Sequence, residues 1–144
     1  MLNMADAVRL NVVTPTGMLF SELVSLVQYK GPLGYTTVLK DHAPLMTILD
    51  FSGIRYIKDG EEHYLSVGQG YLEVEDNVVL VLTNTMERAE EIDVPRAKAA
   101  EQRARDRLEG RVPDKKPLSS QRALRHALIR QEIAALVNSK EELK

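Results

Sequence analysis

Apolar and polar positions alternate along the first part of the chain, and the period changes near residue 86. Val8, Leu10 and Val12 alternate with Arg9 and Asn11 until TPTG at 14–17 breaks the run. A second alternation covers 23–29, with Val24, Leu26 and Gln28 opposite Leu23, Ser25, Val27 and Tyr29, and GPLG follows at 31–34. Short apolar runs then recur at 35–39, 45–49, 53–58, 63–67, 71–74 and 78–82. KDGEE (58–62), GQG (68–70) and EDN (75–77) separate the later ones. A period of two predicts strands, and short strands at roughly 8–12-residue spacing with such turns predict an antiparallel sandwich or barrel. Several runs are apolar on both faces, which suits a core between two sheets.

Beyond residue 91 the period becomes helical. Asp93 is placed as an N-cap, and Pro95 falls in the first turn, where its missing N–H does no harm. Ala97, Ala100, Ala104 and Leu108 recur at three- and four-residue steps on one face. GRVPDKKP at 110–117 ends this helix, and Ser119 or Ser120 can cap a second one running to about Asn138. Leu124, Ala127, Leu128, Ala134 and Ala135 lie on one side of it. The predicted fold is α+β: an N-terminal antiparallel β-sandwich over 1–88, then a C-terminal two-helix antiparallel hairpin over 89–144, with helices at 92–110 and 119–139. The hairpin's apolar faces are mostly alanine, which buries little area per residue. Isolated helices of this length are marginal in water, so the hairpin reads as a mobile part.

Composition narrows the function. The chain has 144 residues and is 44% hydrophobic, enough for a real core. A net charge of −2 gives no electrostatic case for nucleic acid. With no cysteine there is no disulfide, thiolate metal site or cysteine nucleophile. No apolar run reaches the ~18 residues a membrane span needs. The first residues lack the basic and apolar regions of a secretory signal.

Few residues offer chemistry. Asp41 and His42 are adjacent, so their side chains point apart, and they read as a turn before Pro44; a small hydrolase using this pair is a distant alternative. His63 and His126 are isolated, so no metal site is expected. Gly68 and Gly70 read as a turn, since no Lys-Ser/Thr follows. The arginines say more. Arg96 sits in a first helical turn, the wrong end for the dipole. Arg103 shares its face, Arg107 is a turn beyond, and the second helix adds Arg122, Arg125 and Arg130. Convergent guanidiniums near a helix start suit a polyphosphate. The alternative is a solvated face paired with Glu101, Asp106 and Glu109, and spacing alone favours it.

The whole chain resembles the epsilon subunit of the F-type ATP synthase, called delta in mitochondria. The resemblance rests on LNVVTPTGMLF (10–20), DHAPLMTIL (41–49), GIRYI (53–57), YLSVGQGYLEV (64–74) and NVVLVLTNTMERAEEID (77–93), in family order and spacing. It implies a non-catalytic rotor subunit of a proton-transporting complex, peripheral at the cytoplasmic face of the cell membrane, with no signal or transit peptide. Its implied partners are the gamma subunit, the membrane rotor ring and, when the hairpin extends, the alpha and beta subunits. Folded against the sandwich, the hairpin permits ATP hydrolysis; extended into the catalytic head, it obstructs it.

The resemblance also implies residues. ATP-binding members carry an Ile/Leu-Asp-x-x-Arg-Ala motif, matched here by Ile92, Asp93, Arg96 and Ala97. Glu87 matches the upstream acid, and Arg103 the arginine further along the helix. By resemblance Ile92, Asp93 and Ala97 border the base and the arginines meet the phosphates. ATP is therefore a regulatory ligand, with no cofactor required and no catalytic residue. Two departures stand out. Where those members have two arginines four apart on the second helix, Arg122 is followed by His126, and Arg130 is the other close match. The rotor-ring loop, Gly-Glu-Leu-Gly in many members, is Gly31, Pro32, Leu33 and Gly34 here, with His42 assigned to the same contact. A free-standing nucleotide sensor without a large complex is the alternative; it predicts no large exposed apolar patch on the sandwich.

Overall fold

The computed structural model describes residues 4–142; the first and last residues of the two segments expected at 1–88 and 89–144 lie outside that range. Among the described residues ten strands form two five-stranded sheets, and two α-helices follow. The strands are β1 (Val8–Thr14), β2 (Gly17–Val24), β3 (Leu26–Gly31), β4 (Gly34–Val38), β5 (Leu45–Leu49), β6 (Ser52–Lys58), β7 (Glu61–Val67), β8 (Gly70–Glu75), β9 (Val78–Thr83) and β10 (Met86–Arg88). The helices are α1 (Val94–Leu108) and α2 (Pro117–Glu142). The chain divides into two compact units, one ending at Glu87 and the other beginning at Arg88.

The first sheet runs β2-β1-β9-β8-β5 and the second β10-β7-β6-β3-β4. Alternation decides what lies between them. Val8, Leu10 and Val12 are fully buried while Arg9, Asn11 and Val13 are not, the strict period of two expected for β1. Val12, Val81 and Leu72 meet Val27, Ile54 and Leu65 in one core. Phe20 of the first sheet packs edge-on against Tyr56 of the second, ring centres 5.3 Å apart. Each fully buried Leu or Val stabilises the fold by about 1.5–3 kcal/mol. Nearly all strand pairs are antiparallel, but β1 pairs with β9 in parallel, Arg9 opposite Val78.

The run read as one alternation over 23–29 is two strands in different sheets. Val24 and Val27 are both core residues, so the phase slips by one between them. Ser25 sits at the corner, where its backbone N–H and its hydroxyl both donate to the Ile57 carbonyl, at 2.9 and 3.1 Å. These bonds satisfy the polar groups of a strand switching sheets.

In the second unit α1 begins as expected. Asp93 accepts a hydrogen bond from the Arg96 backbone N–H at 3.1 Å, and Pro95 falls in the first turn. The helix ends in a Schellman motif: Gly110 adopts φ +80°, its N–H donates to Arg107, and the Arg111 N–H donates to the Asp106 carbonyl at 2.8 Å. α2 starts two residues before the expected Ser119, at Pro117, a residue preorganised for a first helical position. The Ser120 N–H reaches the Lys116 carbonyl, so Ser120 lies buried in the first turn and caps nothing. Ala97 and Ala104 of α1, and Ala127, Ile133 and Ala134 of α2, are buried. Leu128 and Ala135, expected on the same face, are exposed.

Candidate functional site

The outer face of the first sheet carries one apolar residue from every strand, in register. Met18 of β2 pairs with Val13 of β1, Val13 with Leu82 of β9, Leu82 with Tyr71 of β8, and Tyr71 with Ile48 of β5. Partners across a ladder point to the same face. Met18, Leu82, Tyr71 and Ile48 are 43–60% exposed. Met46 extends the row on β5. The outer face of the second sheet carries polar pairs as well as apolar side chains: Gln28 donates to Thr37, and Glu62 accepts from Arg55 at 2.6 Å and from Tyr64 at 3.1 Å, while Leu26 lies opposite Ile57. The Glu62 hydrogen bond also raises the Arg55 guanidinium pKa.

Sequence reasoning missed this row. It explained strands apolar on both faces by burial between two sheets, but the outward residues of β5, β8 and β9 face solvent. The signal was the run itself: in LMTIL and VVLVLT the single polar residues, Thr47 and Thr83, fall in phase with the buried positions and leave only apolar residues for the outward face.

The turn expected to touch a rotor ring joins β3 to β4. Gly31 pairs with Gly34, and Pro32 and Leu33 form the tip, with Leu33 fully exposed. Tyr35 stands beside it, with Lys30 Nζ over its ring at 5.7 Å. His42 is not in this turn. It follows the opposite end of β4, about 15–17 Å of strand away. Its Nδ1 donates to the Ala43 carbonyl at 2.7 Å, and its backbone N–H closes a turn onto Leu39. Asp41 adopts φ +64°, and its N–H donates to Asn77. The pair therefore forms a tight turn, as its spacing predicted.

Of the residues assigned to nucleotide, Glu87 closes the first unit and the other six lie in the second. Glu87 and Arg130 are half-buried and engaged in interactions of their own. Ile92 and Ala97 are buried, and Asp93 is the exposed cap. Arg96 and Arg103 are exposed, and among the described residues their guanidiniums make no ion pair or hydrogen bond. Helical phase sets Arg96, Arg103 and Arg107 along one flank of the Ala97–Ala104 stripe, and Glu101 and Arg105 along the other. Gln131 meets Glu101 at 2.8 Å, so Arg130, on the opposite flank of α2, lies on the Arg103 side. The hairpin thus gathers these cations on one flank. A recess of about 260 Å³ in the same unit is lined by Glu90, Ile92, Val94, Ala134, Val137 and Asn138, with no arginine among them.

The expected acid–base pairing of the hairpin is realised only in part. Glu101 takes Arg105 at 2.8 Å, and Arg111 takes Asp106 and Glu109 at 2.9 and 2.7 Å.

Comparison places this architecture. Residues 7–89 match the family model of the ATP synthase delta/epsilon chain beta-sandwich domain. The chain is 44% identical over 132 residues to the ATP synthase epsilon chain of Geobacter metallireducens, covering 91% of this chain and 96% of the relative. It belongs to the epsilon-chain family of the F-type ATP synthase. In fold it is similar to a chain of the Euglena gracilis mitochondrial ATP synthase, OSCP/F1/c-ring assembly, with a TM-score of 0.76 at 22% identity over 94% of this chain and 84% of that one. It is also similar to a chain of the Tetrahymena thermophila mitochondrial ATP synthase central stalk/c-ring, with a TM-score of 0.53 at 14% identity over 92% and 95%. Among the described residues no helix is long and apolar enough to cross a membrane.

Proposed function

We propose that the chain is a non-catalytic central-stalk subunit at the cytoplasmic face of the membrane, linking rotor ring to catalytic head and restraining ATP hydrolysis through its hairpin. The observation that carries this reading is the apolar row from Met18 to Ile48. An exposed row spanning five strands suits a permanent protein partner, which we take to be gamma. A free-standing nucleotide sensor needs no such patch. The apolar tip at Pro32 and Leu33 then faces the rotor ring. Alpha and beta become partners when the hairpin extends. ATP is the ligand of the basic flank, with Arg96, Arg103 and Arg130 toward the phosphates, and it favours the hairpin state it binds better.

The test is reconstitution. A Tyr71→Glu chain should fold but lose occupancy on the gamma-containing complex. A chain ending at Glu87 should assemble and raise the hydrolysis rate relative to full-length chain at equal occupancy. Normal assembly of Tyr71→Glu sinks the docking reading, and equal hydrolysis rates sink the inhibitory role of the hairpin.

A further inference from the structure

Arg103 and Asp106 are three residues apart on α1, the spacing at which opposite charges on a helix surface pair. They do not pair. The Asp106 Oδ1 accepts instead from Gln102 Nε2 at 2.8 Å and from Arg111 at 2.9 Å. Gln102 lies one turn before it and Arg111 past the helix end, and both donate to the same oxygen. Arg111 is delivered there by the backbone. Gly110 turns the chain at φ +80°, and the Arg111 and Val112 N–H groups both return to the Asp106 carbonyl. The same guanidinium also takes up Glu109 at 2.7 Å.

We infer that Arg111 is a positioning residue for Arg103: by engaging Asp106 it keeps that carboxylate off the Arg103 guanidinium and leaves the cation open to an anionic ligand. This rests on the proposed phosphate-facing role of Arg103, which Arg111 itself does not share. The contrast along the helix supports it. Arg105 has Glu101 one turn back, with no competing arginine on that carboxylate, and forms its ion pair at 2.8 Å. Arg103 has Asp106 three residues on, within pairing reach on a helix surface, and forms none. Hydrogen bonds from Arg111 first, and Gln102 second, hold the Asp106 carboxyl below the usual carboxylate range.

The experiment uses the full chain, ATP as probe, and NMR titration of the Asp106 carboxyl. In Arg111→Gln, Asp106 should turn to Arg103, and ATP should bind about twofold more weakly, the worth of one helix-surface ion pair. Adding Asp106→Asn to Arg111→Gln should restore binding, which a merely structural role for Arg111 would not do. The titration reads the same switch without ligand. Replacing Arg103 by Ala should leave the Asp106 titration unchanged in the parent chain and raise its midpoint in Arg111→Gln. If the parent chain binds no ATP, the phosphate reading of Arg103 fails and the titration alone decides the switch. An Asp106 titration indifferent to Arg103 in both backgrounds overturns the inference. Unweakened ATP binding by Arg111→Gln overturns it too.

Discussion

Gln131 of α2 donates to one oxygen of Glu101 on α1 at 2.8 Å, while Arg105 donates to the other oxygen at the same distance. Both oxygens of one carboxylate are thus committed, one across the hairpin and one along α1. The buried faces beside them are alanine, at Ala97, Ala104, Ala127 and Ala134. Small flat faces hold two helices close but specify their register weakly, and a directional bond at the edge supplies what the alanines lack.

Acid should loosen the hairpin. The hydrogen bonds from Gln131 first, and Arg105 second, depress the Glu101 pKa in the folded state. Below the ordinary carboxylate range the unfolded hairpin binds more protons than the folded one, so stability rises with pH. The contribution is complete above that range and is lost as pH falls through the folded-state value. Amide exchange in α1 and α2 should therefore quicken on acidification below about pH 4. Glu101→Gln should flatten part of this dependence. The rest belongs to Asp106, whose pKa is depressed in the same sense. An unaltered acid profile in Glu101→Gln would refute the assignment.

Overpacking the alanine face should cost stability. Ala127 is 2% exposed, so Ala127→Leu forces extra volume between the helices at a cost of about 1–3 kcal/mol. Ala135→Leu, on the exposed side, should change stability by less than about 0.5 kcal/mol. Urea unfolding followed by far-ultraviolet circular dichroism compares the two, and equal effects would contradict the packing described.

The cap on α1 is separable from any role in binding. Asp93→Ala should destabilise the helix start by about 1 kcal/mol, and Asp93→Ser should recover most of it, since either side chain can accept from the Arg96 N–H. Proton exchange at the Arg96 amide reads this directly. A Ser variant as frayed as the Ala variant would mean that the cap is not what holds the first turn.

Gly70 is fixed by its neighbour. It pairs with Thr83, and a Cβ there would collide with the Leu82 backbone carbonyl on the adjacent strand. Because the clash is with backbone, no rotamer relieves it. Gly70→Ala should cost about 3 kcal/mol or more, measured by denaturant unfolding of the sandwich. A loss below about 1 kcal/mol would mean the two strands separate more easily than their pairing implies.

Much of this architecture was legible in the sequence, because period is local. The strands near 35–39, 45–49 and 53–58, the cap at Asp93 and the alternation of Val8, Leu10 and Val12 are all properties of a few consecutive residues. What escaped is set by residues far apart. The corner at Ser25 depends on Ile57, and nothing within 23–29 announces that the chain changes sheets there. The start of α2 depended on reading Pro117 as a helix opener when it was also a plausible terminator. The apolar row depends on a ladder register across five strands, and composition cannot distinguish a second buried face from a face awaiting a partner. For the nucleotide residues, sequence spacing placed Arg96 and Arg103 on one face. That Asp106, three residues beyond Arg103, is engaged by Gln102 and Arg111 instead is contained in no spacing rule.

The parallel pairing of Arg9 with Val78 bears on how the chain is made. β1 leaves the ribosome early and is apolar on its inner face, yet its central neighbour β9 is among the last strands to appear. Until then β1 has only β2 to lean on, and a lone hairpin is marginal in water. The first sheet therefore closes late, through contacts distant in sequence, and such topologies fold slowly. Nascent chains would expose Leu10 and Val12 until β9 emerges, so crowded expression should trap this protein at the stage where β1 still lacks its later partner.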